Sequence, residues 1–129
     1  HVSPRWASAT PVALDRNPGD LHDSDPERRR KAYAEAKVSI FEAVQRIGLP
    51  PPIEVDVLRS CVLPGTAKPI KYPRFPVDAQ RPQRVLVHVR LVFAQPVQGP
   101  VLLGAGRFHG LGLCLPIDSR VANDIEVSQ

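Results

Sequence analysis

An α+β fold built on an antiparallel sheet is predicted by three observations. One long amphipathic helix stands between strand-like runs, apolar residues alternate in several short segments, and the last of these follows a loop dense in glycine. A chain of 129 residues, 43% of them hydrophobic, is large enough for a single core. One domain is expected over residues 1–118, with the polar stretch 119–129 as a frayed tail.

Residues 5–14 alternate moderately and read as a first strand ending near Pro11. Asn17-Pro18-Gly19-Asp20 is a turn, and the polar run to Asp25 is a loop. A helix then begins, with Asp25 as N-cap and Pro26 at the first helical position. Tyr33, Ala36, Ile40, Val44 and Ile47 recur at steps of three and four and form one buried stripe. Gly48 ends the helix in a left-handed cap, and Pro50-Pro51-Pro52 forbids its continuation. Ile53-Glu54-Val55-Asp56-Val57 alternates and continues as a second strand to Cys61.

Residues 64–83 form a long, proline-laden connection. Arg84 to Phe93 is a third strand, with Val85, Val87, Val89, Leu91 and Phe93 on one face and Leu86, His88, Arg90 and Val92 on the other. Leu111, Leu113, Leu115 and Ile117 form a fourth. The order β-α-β-β-loop-β is nearly the split βαβ of a ferredoxin-like, RRM-like domain. What is missing is the second helix, since glycines between Gly99 and Phe108 allow no more than one helical turn.

Composition narrows the class further. Seven aromatics and no Met imply an aliphatic core. Fifteen prolines, concentrated in connections, stiffen the loops. A net charge of +4 is compatible with a polyanionic partner and equally with simple solubility. Cys61 and Cys114 are expected as buried free thiols rather than a disulfide. No C-x-x-C or H-E-x-x-H spacing points to a metal, and no cofactor is expected. No apolar run reaches the roughly 18 residues of a membrane span. His1-Val2-Ser3-Pro4 is no signal peptide, and the lack of an initiating Met points to an excised or trimmed segment.

The densest signal is Gly99-Pro100-Val101-Leu102-Leu103-Gly104-Ala105-Gly106-Arg107-Phe108-His109-Gly110-Leu111-Gly112, in which five of the eight glycines fall. Glycine lets a ligand approach the backbone and permits positive φ where N–H groups converge. The spacing is neither a dinucleotide fingerprint nor a Walker loop: no helix and acidic residue can follow, and no Gly-Lys-Ser/Thr occurs. Two readings stand, a phosphate cradle centred on Arg107 and a tight turn passing under the helix. The 64–84 connection is the second candidate. It holds Lys68, Lys71, Arg74, Arg81 and Arg84 against one acid, Asp78, with Tyr72 and Phe75 interleaved. Cations for phosphates and aromatics for bases are what unpaired RNA requires; the competing reading is a solvated excursion whose aromatics pack on the core. Arg28-Arg29-Arg30-Lys31 in the first helical turn opposes the helix dipole, and either a nearby phosphate or the local acids could compensate it.

The glycine segment, running on to Leu113-Cys114, resembles the glycine-rich loop of the repeat-associated (RAMP) superfamily of CRISPR proteins. Trp6-Ala7-Ser8-Ala9-Thr10-Pro11-Val12-Ala13-Leu14-Asp15-Arg16 and Tyr72-Pro73-Arg74-Phe75 look like parts of the type I-U (I-G) subunit that fuses a crRNA-handle-binding part to a repeat-cleaving endoribonuclease. So do the later His88 and Phe93-Ala94-Gln95-Pro96-Val97. The resemblance spans roughly residues 5–118 and implies a ferredoxin-like RNA-binding domain, the C-terminal part of a longer, cytoplasmic protein that processes precursor crRNA in antiviral defence. It implies partners in repeat RNA and other subunits of the effector complex.

The implied cleavage is metal-independent, with the ribose 2′-OH attacking its own phosphate to give a 2′,3′-cyclic phosphate. That chemistry wants histidine for proton transfer and a cation at the phosphorane. His109, beside Arg107, is the first catalytic candidate and His88 the second. Gly104, Gly106, Arg107, Gly110 and Gly112 carry over as RNA-backbone contacts, joined by Lys68, Lys71, Tyr72, Arg74, Phe75 and Arg90. In the resembled nucleases the catalytic histidine usually lies in the other, N-terminal fold repeat. A non-catalytic crRNA-holding module and a protein-interaction domain therefore remain as alternatives.

Overall fold

The computed structural model describes residues 2–61, 63, 75–76 and 83–117. Its order is β1 (Val2–Ser8), β2 (Val12–Ala13), α1 (Pro26–Arg46), β3 (Glu54–Leu58), β4 (Leu86–Gln98), β5 (Val101–Leu102), a 3-10 turn (Arg107–His109) and β6 (Leu113–Pro116). The expected first strand is two: the chain bends at Ala9-Thr10-Pro11, where proline supplies no N–H to a ladder. The second stops at Leu58, so Cys61 lies beyond it. The third runs on to Gln98. Where a second helix would stand there is the single 3-10 turn the glycines allow.

All pairings are antiparallel, in the order β2-β4-β1-β6-β5 with β3 on the other edge of β4. The four longer strands thus lie as β6-β1-β4-β3, an order compatible with the ferredoxin-like fold. Ser3 pairs with Val97 but Arg5 with Val92, so β4 bulges between them, at the site of Pro96.

Helix α1 starts as its sequence dictates. Asp25 Oδ1 accepts from the Glu27 N–H at 3.1 Å, and Pro26 occupies the first turn. Gly48 follows the helix at φ +86°. Arg28 reaches Asp23 and Asp25 at 3.1 and 3.5 Å, Arg30 reaches Glu27 at 2.7 Å, and Arg29 donates to the Asp23 carbonyl. Local acceptors therefore compensate this cationic turn.

Ala32, Ala36, Ile40, Ala43 and Val44 form the buried stripe, with Tyr33 and Ile47 packed at its margin. It faces Val87, Val89, Leu91 and Phe93, which alternate along β4, and Val12, Val57 and Trp6, which pair with Val87, Val89 and Leu91. Burying Ile40 and Val44 contributes about 1.5–3 kcal/mol each. On the opposite face Ala7, Ile117 and Leu63 make a second, smaller cluster.

Cys114, in β6, and Cys61 are both free thiols. Burial, and then the neighbouring Cys61, push the Cys114 thiol from 9.0 up to about 12. Because the folded value lies above the unfolded one, the fold is favoured by this group below pH 9 and loses stability as pH rises toward 12. We expect iodoacetamide at pH 8 to modify the half-buried Cys61 first and to reach Cys114 only when denaturant opens the chain. Peptide mapping by mass spectrometry checks this; equal labelling in buffer would contradict the burial.

Candidate nucleic-acid interface

The glycine loop is stitched to the corner between β1 and β2. The Ala105 N–H donates to the Ala13 carbonyl at 2.9 Å and the Gly112 N–H to the Pro11 carbonyl at 2.7 Å. Leu113 N–H donates to Thr10 Oγ1 at 3.0 Å. So close an approach leaves no room for side chains. A Cβ on Gly104, at φ +87°, would stand 2.3 Å from the Ala13 carbonyl oxygen, and one on Gly112, at φ +75°, 1.9 Å from that of Leu103. Gly104, Gly106 and Gly112 are buried, and Gly110 alone of the candidate glycines is exposed.

What the loop displays outward is its 3-10 turn. Arg107 is held at its base by a 3.0 Å bond from Nη1 to the Gly104 carbonyl. Its guanidinium lies 4.8 Å from the centroid of the Phe108 ring. Phe108 is 81% exposed, an outlay of apolar surface that no core contact explains. The sequence carries a signal for it, an aromatic set between Arg107 and His109 in a glycine loop. His109 is exposed, and its ring stacks at 5.3 Å and a 46° tilt on Phe75.

That stack joins the two segments singled out in the sequence. Phe75 belongs to the basic connection, whose Lys68, Lys71, Tyr72 and Arg74 lie outside the described residues. The end of the connection is anchored by the Arg84 N–H on the Phe75 carbonyl at 2.7 Å and by Gln83 Nε2 on the Pro76 carbonyl at 2.8 Å. The Arg84 guanidinium donates to the carbonyls of Leu14 and Asp15. Between these pieces is a cavity of about 480 Å³ with Leu14, Phe75 and Val85 as apolar lining and Arg16 and Arg84 as cations. Ala105 of the glycine loop closes one side.

The remaining candidates are elsewhere. His88 is fully buried, its Nδ1 2.7 Å from Ser8 Oγ and 3.2 Å from the Ser8 carbonyl. Ser8 Oγ also accepts from the Val89 N–H at 2.9 Å. Arg90 is 13% exposed and paired with Asp56, its cross-strand neighbour, at 2.8 Å. Neither is brought to the glycine loop: His88 and Arg90 share their face of β4, as the alternation requires, but that face is covered at His88.

An α+β domain presenting a cationic, aromatic turn beside an arginine-lined cavity is thus the class of protein defined here. The chain belongs to the CRISPR-associated protein, GSU0054 family, whose model matches residues 1–116. No curated protein and no solved structure matches it. Its role is therefore CRISPR-associated, in antiviral defence. Among the described residues no helix is long and apolar enough to cross a membrane.

Proposed function

We propose that this chain is a RAMP-type RNA-binding domain of a type I-U (I-G) subunit that processes CRISPR repeat RNA in the cytoplasm. The observation that carries the reading is the Phe75–His109 ring contact, which sets Phe75 of the connection against the displayed turn Arg107–Gly110. One strand of RNA can meet both. Arg107 supplies charge to a phosphate, Phe108 a face for a base, and the buried glycines the close packing that holds the turn rigid. The backbone contact falls to Gly110 and its neighbours.

In the intact protein His109 stands where cleavage could be served. The 2′-oxygen bonds to phosphorus and the P–O5′ bond breaks, leaving a 2′,3′-cyclic phosphate and a 5′-hydroxyl. The imidazole takes the 2′-hydroxyl proton or returns one to the 5′-oxygen, while Arg107 offsets the phosphorane charge. Burial of His88 favours a second reading, in which the domain holds crRNA and the chemistry lies elsewhere.

Labelled repeat RNA incubated with the protein in EDTA separates these. Salt-dependent binding is expected, and Arg107→Gln is expected to lower the slope of log affinity against log salt by about 0.7, the value for one phosphate of a single strand. Cyclic-phosphate product lost in His109→Ala supports the nuclease; binding without product supports the holding role. No binding at low salt rejects RNA recognition altogether.

A further inference from the structure

Resting on that reading, we infer that the cavity beside the glycine loop is a pocket for one unpaired nucleobase extruded from the bound RNA strand. At about 480 Å³ it falls within the range of small-ligand pockets, and its lining combines an apolar floor with a few convergent polar groups. Leu14 and Val85 make the floor, and the Phe75 ring forms a wall on which a base can stack. Arg16, Asn17 and Arg84 line it with hydrogen-bond donors, Arg16 also pairing with Glu42 at 3.2 Å, and among the described residues no carboxylate lines it.

Two of these groups are oriented before any ligand arrives. Arg84 Nη1 is fixed by the carbonyls of Leu14 and Asp15. Asn17 Oδ1 accepts from the Gly19 N–H at 2.9 Å, which leaves its amide N–H groups as the free end. A donor-rich, cationic pocket suits the carbonyl and ring-nitrogen acceptors of a base edge, with its phosphate outside. Phe75 ties the pocket to the turn, since its ring contacts both the cavity and His109. A nucleotide whose base enters the pocket would therefore leave its backbone at Arg107–Gly110.

The test is a series of repeat RNAs, each carrying one abasic nucleotide, so that backbone charge is unchanged while one base is missing. The expected result is that a single position costs about 5- to 100-fold in affinity, the range a stacked base contributes. Ala105→Phe, which fills the cavity, and Phe75→Leu, which removes the wall, should weaken the intact RNA and erase that positional penalty. Thermal melting confirms that each variant is folded. A wild-type protein that binds RNA with no positional penalty overturns the pocket, as does a penalty that persists in both folded variants. If the wild-type protein binds no RNA at low salt, it is RNA recognition itself that fails.

Discussion

Gly112→Ala is expected to cost about 3–5 kcal/mol, enough to leave much of the chain unfolded at ambient temperature. Two penalties act together. Gly112 has φ +75°, which an L side chain adopts at a cost of about 1–2 kcal/mol. Its Cβ would also stand 1.9 Å from the Leu103 carbonyl oxygen and 2.9 Å from the carbonyl carbon, so backbone would have to move. Moving it breaks the 3.0 Å bond from the Leu103 N–H to the Gly112 carbonyl and the 2.7 Å bond to Pro11. Gly110 supplies the control. It has φ +81° but nothing within 4 Å of its Cβ position, so Gly110→Ala should cost only the conformational penalty. Urea denaturation of both variants measures the difference. Equal midpoints would show that the Leu103–Gly112 approach does not exist in solution.

The contrast between those glycines marks how far the sequence could be read. Five glycines in one loop fit a phosphate cradle and a tight turn equally well, because composition does not say what each missing Cβ makes room for. The structure divides them. Gly104 and Gly112 are needed by the neighbouring backbone, and Gly106 by the Leu111 side chain, whose Cδ1 lies 2.7 Å from a Cβ built there. The surface available to a ligand is carried by Arg107, Phe108, His109 and Gly110, whichever partner is bound. Helix α1 was legible to within a residue or two because cap, proline, stripe and terminating glycine all agree. The strand ends were less so: the chain bends after Ser8 at Ala9-Thr10-Pro11, and β3 ends at Leu58 opposite His88 although β4 extends to Leu86, which local alternation does not record.

The site was legible as two segments, not as one place. Nothing in the separation between Phe75 and His109 announces that their rings meet, and the cavity draws on residues 14–17, 75–76, 83–85 and 105. Such a constellation is created by folding β4 back beside β2. His88 shows the opposite limit. Alternation assigns it to the face of β4 away from the helix, but does not reveal what covers that face.

That burial gives His88→Ala a different expected outcome from a catalytic knockout. Removing the imidazole deletes the Nδ1 contact at 2.7 Å to Ser8 Oγ and leaves a cavity in a filled interior, for a loss of about 2–4 kcal/mol. RNA affinity per folded molecule should be unchanged, since His88 is 0% exposed. Ser8→Ala attacks the same contact from the other end without touching the imidazole, and also strips the Val89 N–H of its acceptor. It should cost about 1–3 kcal/mol. Because the two side chains share one hydrogen bond, the double variant should lose less than the two single losses together, by about 0.5–3 kcal/mol. Denaturation curves for the four proteins give this coupling directly. A His88→Ala protein as stable as the wild type yet unable to cleave repeat RNA would return His88 to the catalytic candidates. Coupled destabilisation with intact binding assigns it to holding β1 against β4, one strand away from the edge on which the glycine loop is hung.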